Sequence, residues 1–276
     1  NGFADVLVGA PGYSHSESNE GGAFAFYGRA DSMGQTANWT MTGSQNGSEF
    51  GYAVAGAGDV NGDGYADVIV GAPSYDTALA NAGRVFIYPG SANDLAATPL
   101  STLDGEVENA RFGQTVSTAG DVTGDGYDDI LVGAPYHTNG QTEEGRAYVF
   151  YGSGSGPQQS PNWYAESNQA NAGLGYSVAY AGDVNGDGYS DIMVGAPNYD
   201  DGETNEGGAF IWLGESDIKI GAGVGYPNNA YWDVQINRAQ SFLGIAVAGA
   251  GDVNGDGYSD VIAGATGYNN GQSREG

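Results

Sequence analysis

The sequence predicts an all-β fold of repeated four-stranded antiparallel blades, a β-propeller of which about four and a quarter blades are present, and three observations carry that prediction. A nine-residue pattern recurs as DVNGDGYAD at 59–67, DVTGDGYDD at 121–129 and DVNGDGYSD at both 183–191 and 252–260, with first aspartates 62, 62 and 69 residues apart. Each period also carries four short β-type runs separated by turn residues. The composition agrees: 50 glycines and 19 tyrosines in 276 residues describe a turn-rich β protein, and 40% apolar content in short blocks is more than a disordered chain would carry.

The block 50–113 displays every element. Its first run, 50–58 (FGYAVAGAG), has small residues (Ala53, Ala55, Gly56, Ala57) that suit a crowded inner strand. The nine-residue loop joins it to the second run, 66–72 (ADVIVGA); the third is 84–89 (RVFIYP), and a weaker fourth is 99–103 (PLSTL). Third strands are expected again at 23–27, 147–151 and 209–213, and fourth strands around Trp39, Leu100, Trp163 and Trp232. Phe50, Phe112, Leu174 and either Phe242 or Leu243 read as wedges between neighbouring blades. The seven extra residues of the last period fall within 215–230 and read as a longer surface loop. Gly152-Ser153-Gly154-Ser155-Gly156 is a strand connection and not a dinucleotide fingerprint, because no helical pattern follows it. His15 and His137 stand in polar loops and are expected to be solvated.

A remnant of the pattern, NGFAD, opens the chain, with Asp5 lying 62 residues before Asp67. The count is then five second strands against four of each other kind, in repeat units of about 1–49, 50–111, 112–173, 174–241 and 242–276. This predicts a single region whose open strand edges are covered by further blades of a longer chain or by neighbouring copies.

The chemistry lies in the loops. Positions 1, 3, 5 and 9 are Asp59, Asn61, Asp63 and Asp67; Asp121, Thr123, Asp125 and Asp129; Asp183, Asn185, Asp187 and Asp191; Asp252, Asn254, Asp256 and Asp260. Glycines at positions 4 and 6 let the backbone fold tightly enough to turn these oxygens inward, and the carbonyls of Tyr65, Tyr127, Tyr189 and Tyr258 at position 7 complete the expected ligand set. Three carboxylates forced together want a cation, and oxygen donors without His or Cys favour a hard one. Ca²⁺ suits a flexible carboxylate-rich loop better than Mg²⁺, which keeps more of its water. About four Ca²⁺ sites are expected, with Asp5 in a half loop. An EF-hand would place a bidentate Glu at position 12, where Val194 stands in an apolar run, so a strand follows the loop and not a helix. Thr123 offers a hydroxyl where the other loops offer an amide, which predicts the weakest site. The alternative use of the same residues is a set of hydrogen-bonded Asx-turns.

The net charge of −27 excludes nucleic acid and anionic membranes as partners, since both require a basic surface. The chain has no cysteine, so calcium indicates the compartment: loops in extracellular modules are tuned to roughly 10⁻⁴ to 10⁻³ M, which predicts a secreted or cell-surface protein. Neither a signal peptide nor a run of about 20 apolar residues is present, so no direct membrane insertion is expected.

Each complete loop is preceded by Phe-Gly or Leu-Gly (Phe50-Gly51, Phe112-Gly113, Leu174-Gly175, Leu243-Gly244) and followed by Gly-Ala-Pro at 71–73, 133–135 and 195–197 or Gly264-Ala265-Thr266. Gly9-Ala10-Pro11 follows the remnant. This arrangement resembles the FG-GAP repeat family, found in the N-terminal β-propeller of integrin α-subunits and in many secreted bacterial proteins. The resemblance implies a propeller usually closed by seven blades and an adhesion or recognition role toward protein or glycan ligands. It also implies that the loops between second and third strands, with the fourth-to-first connections, form a ligand face opposite the calcium loops. The tyrosines after each Gly-Ala-Pro, namely Tyr13, Tyr75, Tyr136 and Tyr199, with Tyr268 after Gly-Ala-Thr, would line that face, unless each merely packs on its own blade. No catalytic constellation is recognised, so a non-enzyme is expected. The alternatives are the propeller of a secreted polysaccharide-degrading enzyme and the subunit of an extracellular fibre.

Overall fold

Runs of β-branched residues bounded by glycine and aspartate turns favour extended backbone. The computed structural model, which describes residues 3–30, 34–215 and 224–269, forms a strand at each of the expected places. The first blade holds β1 (Val6–Ala10), β2 (Gly22–Phe26) and β3 (Trp39–Thr42). Blade two is β4 (Ala53–Gly58), β5 (Asp67–Ala72), β6 (Arg84–Tyr88) and β7 (Ser101–Asp104); blade three is β8 (Thr115–Gly120), β9 (Asp129–Ala134), β10 (Arg146–Phe150) and β11 (Trp163–Glu166). Blade four is β12 (Ser177–Gly182), β13 (Asp191–Ala196), β14 (Gly208–Trp212) and β15 (Trp232–Gln235), and β16 (Leu243–Gly251) with β17 (Asp260–Ala265) begins a fifth. Among the described residues this is the strand count read from the repeats. Each sheet follows chain order with antiparallel neighbours, and the sheets are successive propeller blades. The first strands β4, β8, β12 and β16 stand next to one another along the inside.

Three devices join the blades. Phe50, Phe112 and Leu174 are fully buried, each within a cluster drawn from two successive blades. Leu243, not Phe242, holds this place in the last period, because it pairs with Gly207 as Leu174 pairs with Gly145 and Phe50 with Gly21. The glycines of the two signature motifs are halves of one contact. A Cβ on Gly9, Gly71, Gly133 or Gly195 would overlap the carbonyl oxygen of Gly51, Gly113, Gly175 or Gly244 in the next blade. Finally, every first strand ends in a bulge: the register shifts between Gly56 and Gly58, Thr118 and Gly120, Tyr180 and Gly182, and Gly249 and Gly251. The glycine that closes each bulge has a left-handed φ (77°, 68°, 83° and 68°) and re-aims the chain into the nine-residue loop, and a Cβ on Gly58, Gly120 or Gly182 would meet Asp128, Ser190 or Ser259 of the next blade.

Antiparallel order puts the first-to-second and third-to-fourth connections at one end of every blade and the second-to-third and fourth-to-first connections at the other. The longer loop expected at 215–230, of which 216–223 lie outside the described residues, also packs against a neighbouring blade. Gly225 accepts the Glu166 N–H (3.0 Å) and donates to the Tyr164 carbonyl (2.8 Å), so the connection lies along the outer edge of β11. An edge strand with unpaired backbone groups is thereby covered.

Candidate functional site

The nine-residue loops close on themselves through their own aspartates. In the loop of blade four, Asp183 Oδ1 accepts the N–H groups of Gly186 (2.7 Å) and Asp187 (3.1 Å), and Oδ2 accepts that of Gly188 (2.9 Å). Asn185 Oδ1 takes the Asp187 N–H at 3.0 Å, and Asp187 Oδ1 takes that of Tyr189 at 3.0 Å. Asp59, Asn61 and Asp63 do the same toward Asp63, Gly64 and Tyr65, and Asp252, Asn254 and Asp256 toward Gly255, Asp256, Gly257 and Tyr258. Asp121 and Asp125 follow this plan, but Thr123 Oγ1 donates to Asp121 Oδ1 at 3.4 Å and gives the Asp125 N–H no acceptor.

The position 9 aspartates fasten the loop to the rest of the blade. Asp67, Asp129 and Asp191 are fully buried, and each accepts the N–H of loop position 2 (Val60, Val122, Val184) and of a glycine after the third strand (Gly90, Gly152, Gly214). Asp5 binds Gly28 in the same way at 2.9 Å. Among the described residues Asp260 accepts the Val253 N–H alone, at 2.9 Å. Burial, reinforced by the neighbouring aspartates, pushes Asp67 up to about 6, Asp129 up to about 7 and Asp191 up to about 6, against the pull of their two N–H bonds.

The donor set is all oxygen, and although Asp183 Oδ1 already takes two N–H groups, Asp183 Oδ2 and Asp187 Oδ1 hold one N–H each and keep a second lone pair, so the residues fit a hard cation chemically. Among the described residues, however, no group of three or more His, Cys, Asp or Glu side chains is gathered as a metal cage. The side chains are turned onto their own backbone, which is the Asx-turn arrangement.

The loops are also chained to one another, which the sequence pattern did not reveal. The N–H of Asp128, Ser190 and Ser259, at position 8, donates to the carbonyl of Asp59, Asp121 and Asp183 in the preceding loop, at 3.1, 3.1 and 2.9 Å. The rings of Tyr127, Tyr189 and Tyr258 lie against Gly62, Gly124 and Gly186 of that preceding loop. Asp128 therefore serves its neighbour: its Oδ2 accepts the Asp59 N–H at 2.8 Å.

At the opposite end the aromatic set is distributed among the blades. Tyr13, Tyr75 and Tyr199 meet Phe24, Phe86 and Phe210 of their own blade edge-on, at 5.5, 5.9 and 5.4 Å. In blade three the equivalent place belongs to His137, whose N–H bonds the Ala134 carbonyl as Tyr75 bonds Ala72, and Tyr136 stands one residue earlier and exposed. Here the expectation of a solvated histidine is corrected: His137 is buried, shares a 3.0 Å hydrogen bond with the Tyr148 hydroxyl, and is pushed down to about 4 by burial and then by Arg146, with Glu166 opposing. His15 is exposed as expected. Tyr268 faces Arg238, whose Cζ lies 5.2 Å from its ring.

Comparison with known proteins places this geometry. The FG-GAP repeat model matches residues 50–88, 112–150, 174–212 and 243–274. Integrin alpha-IIb of Mus musculus is 38% identical over 163 residues, 56% of this chain and 16% of that protein. Integrin alpha-PS2 of Drosophila melanogaster is 37% identical over 175 residues, 59% of this chain and 12% of that protein. Phosphatidylinositol-glycan-specific phospholipase D of Bos taurus is 32% identical over 217 residues, 73% of this chain and 25% of that protein. The chain thus spans a quarter or less of the length of these relatives. Four repeats in one register, covering more than half of the chain and coinciding with the observed blades, make this chain a member of the FG-GAP repeat family with an integrin α-like β-propeller fold.

Proposed function

We propose that this chain is an extracellular calcium-binding propeller module that recognises a protein or glycan ligand on the face formed by its second-to-third and fourth-to-first connections. The observation that carries the reading is the fourfold recurrence of an all-oxygen loop, closed by two left-handed glycines, in a chain similar to integrin α-subunits. When bound, Ca²⁺ would supply the positive charge that a cluster of aspartates lacks. Asp59, Asn61, Asp63 and Asp67, with the Tyr65 carbonyl, are the proposed ligands of the first complete loop, and their repeat equivalents those of the other three.

A non-catalytic module is favoured because integrin α-subunits are prominent among the similar proteins. The match to a phospholipase D keeps one second reading, in which the propeller accompanies a catalytic region elsewhere in a longer protein. Among the described residues no helix is long and apolar enough to cross a membrane.

Each site held at about 100 times its Kd contributes roughly 2.7 kcal/mol by mass action, so stripping four sites should lower Tm by about 20 °C or more. Calorimetry with and without excess chelator, alongside metal analysis of the purified protein, tests this. An unchanged transition in protein shown to be free of calcium would overturn the proposal.

A further inference from the structure

The residue before each wedge has a left-handed backbone in all four complete junctions: Glu49 (φ 57°), Arg111 (φ 55°), Gly173 (φ 67°) and Phe242 (φ 54°). Only at the junction of blades two and three is it a cation. Arg111 Nη2 donates to Glu49 Oε2 at 2.5 Å and to Ser74 Oγ at 3.2 Å, and Ser74 Oγ donates to Glu49 Oε2 at 2.7 Å. Among the described residues the buried Nε–H of Arg111 has no acceptor. Arg111, Ser74, Asn81 and Asn109 line a cavity of about 160 Å³ at this end of the molecule. Asn81 Nδ2 donates to Asn109 Oδ1 at 3.0 Å, and among the described residues Asn81 Oδ1 and Asn109 Nδ2 make no other side-chain bond.

We infer that this cavity is a binding site for a neutral hydroxylated ligand, the ring of a sugar. The inference rests on the reading of this end as the ligand face and names the ligand class. Charge selects against the obvious anionic alternative: Glu49 already neutralises Arg111, and the whole chain carries −27. The free groups are mixed, with donors at Arg111 Nε and Asn109 Nδ2 and an acceptor at Asn81 Oδ1. Hydroxyl groups both give and accept, so a pair of them satisfies such a set, whereas a carboxylate can only accept. Leaving the buried Nε–H unmet is unfavourable, and a ligand oxygen there removes that cost. Tyr52, 45% exposed with its ring centre 5.8 Å from the Arg111 Cζ, offers an adjacent apolar face of the kind that packs against the C–H face of a sugar.

The test uses the isotope-labelled chain with calcium present, titrated with the methyl glycosides of glucose, galactose and mannose and, as the anionic arm, with glucuronate and acetate. At least one neutral glycoside should shift the amide signals of Ser74, Asn81, Asn109 and Arg111. Arg111→Gly and Asn109→Gly should each weaken it about tenfold or more, the loss of one or two hydrogen bonds. Both replacements copy residues that other repeats place at the same position, Gly173 and Gly47, both left-handed, so the fold should survive. His15→Ala, on the same end but in blade one, should leave binding unchanged. The inference is overturned if no neutral glycoside binds, if an anion binds better, or if both glycine variants bind as the parent does. Shifts confined to other loops of this face would overturn the cavity alone, whereas shifts confined to the calcium loops would overturn the face as well.

Discussion

Blades two and three have the same strands in the same register and differ in what those strands enclose. Each carries an arginine at the start of its third strand that pairs with an acid at the end of its fourth: Arg84 with Asp104, and Arg146 with Glu166, both at 2.5 Å. The first pair is partly solvated, with side-chain exposures of 23% and 45%, whereas the second, at 8% and 6%, is interior. The surroundings follow suit. Each guanidinium stacks on a tyrosine, Arg84 on Tyr75 at 4.3 Å and Arg146 on Tyr164 at 4.2 Å, but Arg146 also shares its surroundings with buried His137 and Glu144, and among the described residues the Arg146 Nε and Glu144 Oε2 atoms have no partner. Part of the difference comes from another blade, since the connection through Gly225 closes over the edge of β11. Blades two and three thus share the position of an ion pair, where blades one and four have Gly22 opposite Thr42 and Gly208 opposite Gln235, but not its dielectric environment, and the environment sets its energetic weight.

The largest consequence concerns the pairs themselves. Glu166→Gln should destabilise the protein by about 3–5 kcal/mol, because it strands a buried guanidinium, while Asp104→Asn should cost under about 1 kcal/mol. Urea denaturation of both variants checks this, and equal losses would break the comparison.

Next is acid sensitivity. His137 is held near 4, below the ordinary histidine value, so between about 6.5 and 4 the unfolded chain binds a proton that the folded chain refuses. Its contribution to stability is intact above that window and is lost as pH falls through it, by about 3 kcal/mol in total. His137→Tyr, which copies Tyr75 of blade two, should remove this component. Parent and variant should diverge in that window, with the parent falling more steeply on acidification. Parallel curves would mean that the buried imidazole accepts its proton without unfolding.

A smaller difference lies in the loops. Asn61 accepts the Asp63 N–H at 2.8 Å, whereas Thr123 leaves the equivalent N–H to Asp121 alone. Thr123→Asn should stabilise the protein by about 1 kcal/mol even in chelator and tighten calcium at that loop. No change in either quantity would mean that position 3 is idle. The smallest effect is expected at Tyr136: replacement by Ala should alter stability by less than about 0.5 kcal/mol, as for an exposed side chain, while Tyr75→Ala, which removes contacts to Phe86 and Arg84, should cost several times more.

What could be read from the chain was whatever repeats along it. Strand order, the wedges Phe50, Phe112 and Leu174, and the loop residues all recur at a fixed period, so their roles were legible from spacing. What one blade does to the next was not legible, because those contacts join residues about one period apart with no local pattern. The bulge glycines, the seat of Tyr127 on Gly62 and the turn of Asp128 toward Asp59 are of this kind. Tyr136 and His137 show a second limit. Two ring-bearing residues stand side by side, and only the His137 bond to Ala134 reveals which one holds the repeat position. Arg111 carried no signal at all, being a single cation at a position where the other junctions have Glu, Gly and Phe.

The contact between the glycines of successive blades has a bearing on ancestry. Gly71 meets Gly113 as Gly133 meets Gly175 and Gly195 meets Gly244, so each blade offers its successor the same surface that it receives from its predecessor. A gene segment encoding one period can then be duplicated or excised, and the two flanking blades still meet through atoms already shaped for each other. Blade number is then a quantity that can change in single steps while each junction between neighbours keeps the same glycine contact.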